Sequence, residues 1–370
     1  MNFDQKKIDC LVLHAEEMHE KNSQTIKYKN PRLIKEQRLL GLLDSNALRV
    51  EIIYAGICGT DIHVVKKNQE GLISTSAPLN IPKNGRVIGH EGVGKILEIG
   101  SNVVNFKPGD FVALESLITC GHCEPCRRGY LNQCLNAQLI GMQFNGIFTN
   151  IADVPASVAC KVNDICVTEE GLKASACLEP AGVAWLTCHD AELNTSDRII
   201  IFGGGPIGYF CAMIARICFN VSHITLVEPG AFRRSHASKW CDKVYEVSDQ
   251  DIFSDHYDVV IEASGFLENI QNIMPQIKAK GRIILLARSG KPLILKSIDH
   301  IITNAIKIMG VRGHVGGVFK RLIDLYQSGR LPLHEAVTEI IHSMGELASN
   351  LNNSDDLIAH QCKVLVRINT

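Results

Sequence analysis

The chain has 370 residues, of which 46% are hydrophobic and 21% charged, as expected for a globular protein of two domains. Its 38 basic and 39 acidic residues give a net charge of −1 without a basic stripe, which argues against nucleic-acid binding. No apolar run is long enough for a signal-peptide core or a membrane span. We therefore expect a cytoplasmic protein with no membrane partner, whose thiols stay reduced.

Short strands interrupted by glycine are predicted in the first half, at 47–59, 85–100 and 106–114. This pattern is typical of a small, strongly bent, β-barrel-like domain. The tail at 360–368 is also strand-like and is expected to return to that domain. Residues 14–45 are charged and lack clear periodicity, so no element is predicted there.

A loop with four cysteines, TCGHCEPCRRGYLNQC, occupies residues 119–134. Two Cys-x-x-Cys steps direct three sulfurs to one point, and a fourth returns eight residues later. Such a set closes a tetrahedral zinc shell and leaves no position for chemistry. Iron–sulfur loops usually close with Cys-Pro after a shorter gap, and four unligated thiols are unfavourable in a reduced chain. The sequence therefore predicts a structural zinc on Cys120, Cys123, Cys126 and Cys134.

Strands and helices alternate in the second half. Strands are predicted at 198–202, 223–228, 258–265 and 281–287, and a helix at 209–219. Because these runs are apolar on both faces, they favour a parallel sheet covered by helices.

A Gly-x-Gly-x-x-Gly motif at 203–208 lies directly between the first of these strands and its helix. Its glycines suit a tight turn, close approach of a pyrophosphate, and close packing of helix on strand. Glu228, twenty residues later, can accept both ribose hydroxyls of NAD and would repel a 2′-phosphate. Arg233 and Arg234 leave an NADP alternative open, although they also suit a solvated helix start. The predicted cofactor-binding residues are Gly203, Gly205, Pro206, Ile207, Gly208, Glu228 and Arg233.

Three further segments hold residues of metal-ligand type: GICGTDIH (56–63), GHEG (89–92) and CLEPAGVAW (177–185). Taken singly, their ligand candidates have ordinary explanations as a buried thiol, a turn histidine, a surface charge and a helix cap. These candidates are Cys58, His90, Glu91 and Glu179.

Together with the cysteine loop and the glycine motif, these segments resemble the zinc-dependent medium-chain alcohol and polyol dehydrogenases from about Val50 onward. The resemblance implies an α/β protein with a GroES-like β-barrel catalytic domain at 1–181 and 311–370. Within it, the structural zinc lobe spans about 119–135 and takes no part in chemistry. A Rossmann domain, a doubly wound parallel sheet that binds NAD, is implied at 182–310.

The resemblance also implies a catalytic zinc on Cys58, His90 and either Glu91 or Glu179, with one position open to water or substrate. Asp61 would be the carboxylate that orients the His90 imidazole.

Thr60 and His63 match the family's proton relay, which runs from the metal through the cofactor ribose to the surface. The sequence departs from the family in its long stretch before Val50, in an additional loop at 66–86 and in NGIFTN at 145–150. These departures concern the entrance for substrate rather than the chemistry.

The predicted function is hydride transfer between a secondary alcohol and NAD (EC 1.1.1.-), with two zinc ions per chain. The glutamate ligands favour polyols, sugars or cyclitols, and L-threonine or a simple secondary alcohol is the alternative. A non-enzymatic NAD- and zinc-binding protein of this fold would have lost catalytic ligands or the relay, and zinc-free reductases lack both metal clusters. The expected partners are a small-molecule alcohol and further copies of the chain, in a homodimer or homotetramer.

Overall fold

The computed structural model describes residues 6–19, 26–73, 75, 77–296, 298–314, 316–352 and 360–369. The chain forms two compact units. The first comprises Met1–Glu179, Glu339–Leu357 and Val364–Thr370, and the second comprises Pro180–Thr338 and Ile358–Lys363. In the described ranges, every helix is too short or too polar to cross a membrane.

The strands, in chain order, are β1 (Lys7–His19), β2 (Ile26–Leu39), β3 (Ala47–Gly56), β4 (Arg86–Val87), β5 (Glu91–Ile99), β6 (Phe111–Leu114), β7 (Leu117–Ile118), β8 (Gln138–Leu139), β9 (Ile151–Pro155), β10 (Ala159–Lys161), β11 (Arg198–Phe202), β12 (His223–Val227), β13 (Lys243–Tyr245), β14 (Tyr257–Glu262), β15 (Ile277–Leu285), β16 (Lys307–Gly310), β17 (Val337–Ile341) and β18 (Lys363–Arg367). The α-helices are α1 (Gly59–Val65), α2 (Glu124–Arg127), α3 (Glu169–Ala176), α4 (Leu178–Asp190), α5 (Pro206–Cys218), α6 (Ala231–Ala237), α7 (Glu268–Ile273), α8 (Ile298–Thr303), α9 (Val318–Gln327) and α10 (Met344–Asn352).

The main sheet of the first unit has the order β10-β6-β5-β3-β18-β17, and β9 also pairs with β3. The predicted return of the tail is confirmed, because β18 pairs antiparallel with β3 and places Leu365 opposite Gly56. On the other side of β3, Gly56 lies opposite Glu91, the first residue of β5. This register brings the segment that follows β3 beside the segment that precedes β5, and both carry ligand candidates.

Strands β1 and β2 form a long antiparallel hairpin, and β4 pairs with the other edge of β1. The hairpin covers much of 14–45, where the sequence predicted no element. It also fixes part of the additional loop, since the Tyr28 hydroxyl accepts a hydrogen bond from Ile81 N at 3.0 Å. Asn30 N donates to Gly71 O at 2.9 Å, which joins the same two segments.

The second unit contains a six-stranded parallel sheet in the order β13-β12-β11-β14-β15-β16, covered by helices. The predicted parallel sheet is therefore confirmed. Helix α5 begins at Pro206, three residues before the predicted start, because proline suits the first turn of a helix. Strand β15 begins at Ile277, earlier than its apolar run indicated.

Candidate active site

The four cysteines of the 119–134 loop converge, and their sulfur atoms all lie within 4.8 Å of one another. The Cys120 and Cys134 sulfurs are 3.5 Å apart, and those of Cys123 and Cys134 are 3.8 Å apart. A tetrahedron of sulfurs placed ~2.3 Å from a zinc ion has edges of ~3.8 Å, so this set fits zinc closely.

The backbone of the same loop directs N–H groups at the sulfurs. Cys120 N donates to the Cys134 sulfur, and Cys123 N donates to the Cys120 sulfur, both at 3.4 Å. Hydrogen bonds from the backbone of His122 and then of Cys123 lower the pKa of Cys120 to about 5, whereas burial raises the pKa of Cys126 to about 12. Negative charge is therefore stabilised on the Cys120 sulfur by the loop itself, whereas a nearby cation is required to favour it on the Cys126 sulfur.

A second group forms where β3 ends and β5 begins. The ligand atoms of Cys58, His90 and Glu91 lie within 4.8 Å of one another, and the His90 and Glu91 side chains are buried. Burial, followed by the charge of Glu91, raises the pKa of the Cys58 thiol. A half-buried thiol and a buried carboxylate around one imidazole are a donor set suited to a divalent cation, which would offset the repulsion between their negative charges.

Asp61 supports this group from the first turn of α1. Its carboxylate is fully buried and accepts a hydrogen bond from Cys58 N at 3.0 Å. The other oxygen lies 3.6 Å from Nδ1 of His90. One carboxylate thus contacts both the loop that carries Cys58 and the His90 imidazole.

Glu179 lies in the first turn of α4 and is held by a residue that sequence reasoning missed. The Ser116 hydroxyl donates to Oε1 of Glu179 at 2.6 Å, and both residues are buried. Among the described residues, Glu179 is not part of the group formed by Cys58, His90 and Glu91. Ser116 lies just beyond β6 in an otherwise ordinary strand-end sequence, so no sequence signal identifies it.

Helix α1 also carries the two residues of the predicted relay, one turn apart. The Thr60 hydroxyl oxygen is 3.7 Å from the Cys58 sulfur, so it borders the three-ligand group. His63 is exposed at the surface, yet partial burial of its ring, followed by the charge of Lys66, lowers its pKa below the ordinary value of 6.5.

In the second unit, the glycine motif forms the turn between β11 and α5. Gly203 has φ +100°, a conformation that favours glycine, and a Cβ on Gly208 would lie 1.8 Å from the Gly203 carbonyl oxygen. Gly205 precedes the first turn of α5, where Pro206 and Ile207 lie. The free N–H groups of that turn are suited to a pyrophosphate.

Glu228 follows β12 and its carboxylate is fixed by the backbone on both sides. Oε2 accepts from Gly204 N at 2.6 Å, and Oε1 accepts from Gly230 N at 2.9 Å. Arg233 approaches Oε1 only to 4.0 Å, and its Nε donates to Gln361 O. The negative charge at this position is therefore oriented by hydrogen bonds and is only weakly paired.

Comparison with known proteins agrees with this architecture. Residues 44–164 match the alcohol dehydrogenase GroES-like domain family. The 2-dehydro-3-deoxy-L-galactonate 5-dehydrogenase of Pseudoalteromonas atlantica is 30% identical over 321 residues, which cover 83% of this chain and 88% of that protein. The L-threonine 3-dehydrogenase of Pyrococcus horikoshii is 28% identical over 299 residues, which cover 78% and 82% of the two chains.

The solved structure of a putative alcohol dehydrogenase from Thermotoga maritima has the same fold. It superimposes with a TM-score of 0.88 at 22% identity and covers 97% of this chain and 100% of that one. The chain belongs to the zinc-dependent medium-chain alcohol and polyol dehydrogenases. It is thus an oxidoreductase that transfers a hydride between a secondary alcohol and NAD, and the non-enzymatic alternative is set aside.

Proposed function

We propose that this chain oxidises a secondary hydroxyl of a polyol, sugar or cyclitol with NAD, and that it holds two zinc ions. The observation that carries the proposal is the group of Cys58, His90 and Glu91, in which the last two are buried and whose ligand atoms lie within 4.8 Å of one another. Three protein ligands leave one position of a four-coordinate zinc open, as a catalytic site requires. The four-cysteine set closes its shell and is therefore the structural site.

The residues around the three-ligand group have complementary roles in this proposal. A zinc ion bound there supplies the Lewis acidity that lowers the pKa of a substrate hydroxyl. Asp61 orients the His90 imidazole from 3.6 Å. Thr60 borders the group, accepts the proton of the substrate hydroxyl and donates its own toward the relay. His63, which is exposed and has a lowered pKa, is neutral near pH 7 and can accept that proton.

We propose that Glu91 rather than Glu179 is the resting carboxylate ligand. Glu91 is grouped with Cys58 and His90, whereas the Ser116 hydroxyl occupies one oxygen of Glu179. Glu179 then serves as a second buried carboxylate beside the site. A substrate hydroxyl or the metal would replace the Ser116 hydroxyl as a partner of its Oε1.

The substrate class follows from this oxygen-rich surrounding. A carboxylate donates less charge to zinc than a second thiolate would and leaves a harder metal ion, which favours further oxygen ligands, so a neighbouring hydroxyl can share the binding. The relative that is 30% identical is named for action on a sugar acid, which supports the sugar and polyol class. The alternative is L-threonine, because a relative that is 28% identical is a threonine dehydrogenase.

NAD is the proposed cofactor rather than NADP because Glu228 carries a weakly paired negative charge at the end of β12. That position reads the ribose hydroxyls in a dinucleotide-binding fold. For NADP to bind as well as NAD, the positive charge of Arg233 would have to outweigh the repulsion between Glu228 and the 2′-phosphate.

The 14 cysteines, which all lie in the described residues, form no disulfide bond with one another, which is typical of a reducing compartment. We therefore propose a cytoplasmic location, and a homodimer or homotetramer as the family resemblance implies.

The decisive experiment measures NADH formation by the purified protein with a panel of polyols, cyclitols, amino alcohols and simple secondary alcohols. We expect the highest kcat/KM for a member of the first two groups, and no turnover by Cys58→Ser. L-Threonine as the best substrate would replace the polyol assignment. Full activity of Cys58→Ser would contradict the catalytic metal site itself.

A further inference from the structure

Glu262, the last residue of β14, has a fully buried carboxylate whose hydrogen bonds go to the segment that follows the strand. Oε1 accepts hydrogen bonds from Ser264 N, the Ser264 hydroxyl and Gly265 N, each at 2.7 Å. Oε2 accepts from Asn269 Nδ2 at 3.2 Å. Burying a carboxylate is unfavourable unless donors surround it, and here four donors from 264–269 do so.

This turn lies at the point where the order of the strands reverses. The order β13-β12-β11-β14-β15-β16 places β11 and β14 side by side, with their connections leaving in opposite directions. Ligands of open α/β sheets bind in the crevice at the carboxyl ends of such a strand pair. Glu262 is at that end of β14, as the glycine turn is at that end of β11.

The turn contacts the glycine motif directly. Ala263 N donates to Phe202 O at 2.9 Å. A Cβ on Gly203 would lie 3.0 Å from both the Ala263 carbonyl carbon and Ser264 N. The two turns are therefore packed against each other, and a shift of the second would displace the glycine turn as well.

The main chain of Glu262 extends the same support to the next strand. Its carbonyl oxygen accepts from Leu286 N at 3.0 Å and from Ala287 N at 3.3 Å, where β15 ends. Gly265 has φ +83°, and a Cβ there would lie 3.8 Å from that of Ala287. The Glu262 carbonyl thus joins the carboxyl end of β14 to the carboxyl end of β15.

The two halves of the sheet have separate carboxylates at this edge. Glu228 lies at the end of β12 in the half that reads the adenosine ribose, so β14–β16 form the half that receives the nicotinamide. We propose that Glu262 is a positioning residue that holds turn 263–266 as the nicotinamide-side wall of the dinucleotide site. The proposal rests on the NAD site proposed above.

A purely stabilising role would predict a different result, and the chain offers a matched control for it. Asp255 is a carboxylate of the same unit that precedes the first residue of β14, whereas Glu262 is the last residue of that strand. It pairs with Arg198 at 3.0 Å and with Lys243 at 2.7 Å. Asp255→Ala therefore removes two ion pairs without touching the crevice.

The test titrates the full-length, zinc-loaded protein with NADH, which spans both halves, and with AMP, which occupies only the adenosine half. We expect Glu262→Ala to weaken NADH binding by ~10-fold or more, as for loss of ~1.4 kcal/mol. AMP affinity should change less than ~2-fold, and Asp255→Ala should leave both affinities within that margin. Glu262→Gln retains an acceptor for Ser264 N but meets Asn269 with a donor, so its NADH affinity should be intermediate and its AMP affinity unchanged.

Equal losses of NADH and AMP affinity would overturn the proposal, because they would show a general loosening of the domain. Unchanged NADH affinity in Glu262→Ala would overturn it as well. If Glu262→Ala does not fold, the ratio of NADH to AMP affinity in Glu262→Gln decides the matter on the same terms. A preference of the unaltered protein for NADPH would contradict only the cofactor assignment, and the comparison then uses NADPH and 2′-phospho-AMP with the same expectations.

Discussion

The Ser116 hydroxyl donates a 2.6 Å hydrogen bond to Oε1 of Glu179. This contact distinguishes Glu179 from Glu91, which the sequence left as equal candidates for the carboxylate ligand of the zinc. Glu91 lies with Cys58 and His90, whereas Glu179 is engaged by a neutral hydroxyl in a buried setting. A buried carboxylate that already has a donor is less available as a metal ligand. The contact therefore favours Glu91 as the resting ligand.

Glu91→Gln should lower the zinc content to about one ion per chain, whereas Glu179→Gln and Ser116→Ala should retain about two. Loss of the hydrogen bond in Ser116→Ala should also lower the free energy of unfolding by about 1.5–3 kcal/mol, the range for bonds to charged groups. Elemental analysis and denaturant unfolding give both readouts. A zinc loss in Glu179→Gln but not in Glu91→Gln would reverse the assignment.

The two metal sites should be separable by mutation, because one stabilises a loop and the other supports chemistry. Elemental analysis should find about two zinc ions per chain in the unaltered protein. Cys123→Ser should lose one ion and lower the Tm, and Cys58→Ser should lose one ion and abolish turnover with little change in Tm. A single ion that survives Cys58→Ser but not Cys123→Ser would eliminate the catalytic site.

The parts of the fold that sequence reasoning predicted are those whose physical causes are local. The glycine turn follows from positive φ at Gly203 and from the absence of space for a side chain at Gly208. The cysteine loop follows from spacing alone, since Cys-x-x-Cys steps aim the sulfurs without help from the rest of the chain. The assignment of the domains to 1–181 with 311–370 and to 182–310 stays a prediction.

What sequence reasoning missed depends on contacts between distant segments. Strand β2 carries charged residues and Pro31 on an exposed edge, so its sequence has little strand character. It is a strand because β1 pairs with it, from Lys7 opposite Leu39 to His19 opposite Ile26. Ser116 was missed for the same reason, since its partner Glu179 is 63 residues away.

Glu228→Ser should relax the preference for NAD over NADP. The carboxylate is weakly paired, so its repulsion of a 2′-phosphate and its bonds to the ribose should contribute ~1–3 kcal/mol to discrimination. The measurement is the ratio of kcat/KM values for NAD and NADP. Arg233→Ala is the matched control and should sharpen the preference. Comparable kcat/KM with both cofactors in the unaltered protein would show that Arg233 overrides the carboxylate.

Protonation of His63 should set the acidic limb of the profile of kcat against pH for alcohol oxidation. Burial and then the charge of Lys66 lower its pKa below 6.5, so the ring is neutral, and able to accept a proton, at and above that pH. Lys66→Gln removes a positive charge that disfavours protonation, so the limb should move to higher pH. His63→Gln should lower kcat by ~10²-fold, the lower range for loss of an acid–base group, and remove the limb. The measurement is the profile of kcat against pH, and the control is Lys95→Gln, which removes an exposed lysine on β5. An acidic limb that does not move in Lys66→Gln would refute the assignment.

A vicinal diol should be a better substrate than a mono-alcohol of similar size. Glu91 is part of the three-ligand group, and Glu179, which the Ser116 hydroxyl contacts, is the second buried carboxylate that the proposal assigns to the site. A neighbouring hydroxyl can bind in this oxygen-rich surrounding, and its absence leaves a buried polar group without its partner. The comparison is between cyclic polyols and their deoxy analogues that lack only the adjacent hydroxyl. Removal of that hydroxyl should reduce kcat/KM by at least ~10-fold, since sites that hydrogen-bond a hydroxyl reject analogues without it.

The same pairs should be measured in Glu179→Gln, which tests whether that carboxylate reads the adjacent hydroxyl. If it does, the variant should lose most of the penalty for the deoxy analogue while retaining zinc, because a neutral amide binds a hydroxyl less strongly than a carboxylate does. A penalty that persists in the variant would assign the recognition to another group. Equal rates for both members of every pair in the unaltered protein would defeat the polyol assignment. L-Threonine or a simple secondary alcohol would then be the better substrate class, in keeping with the threonine dehydrogenase among the relatives.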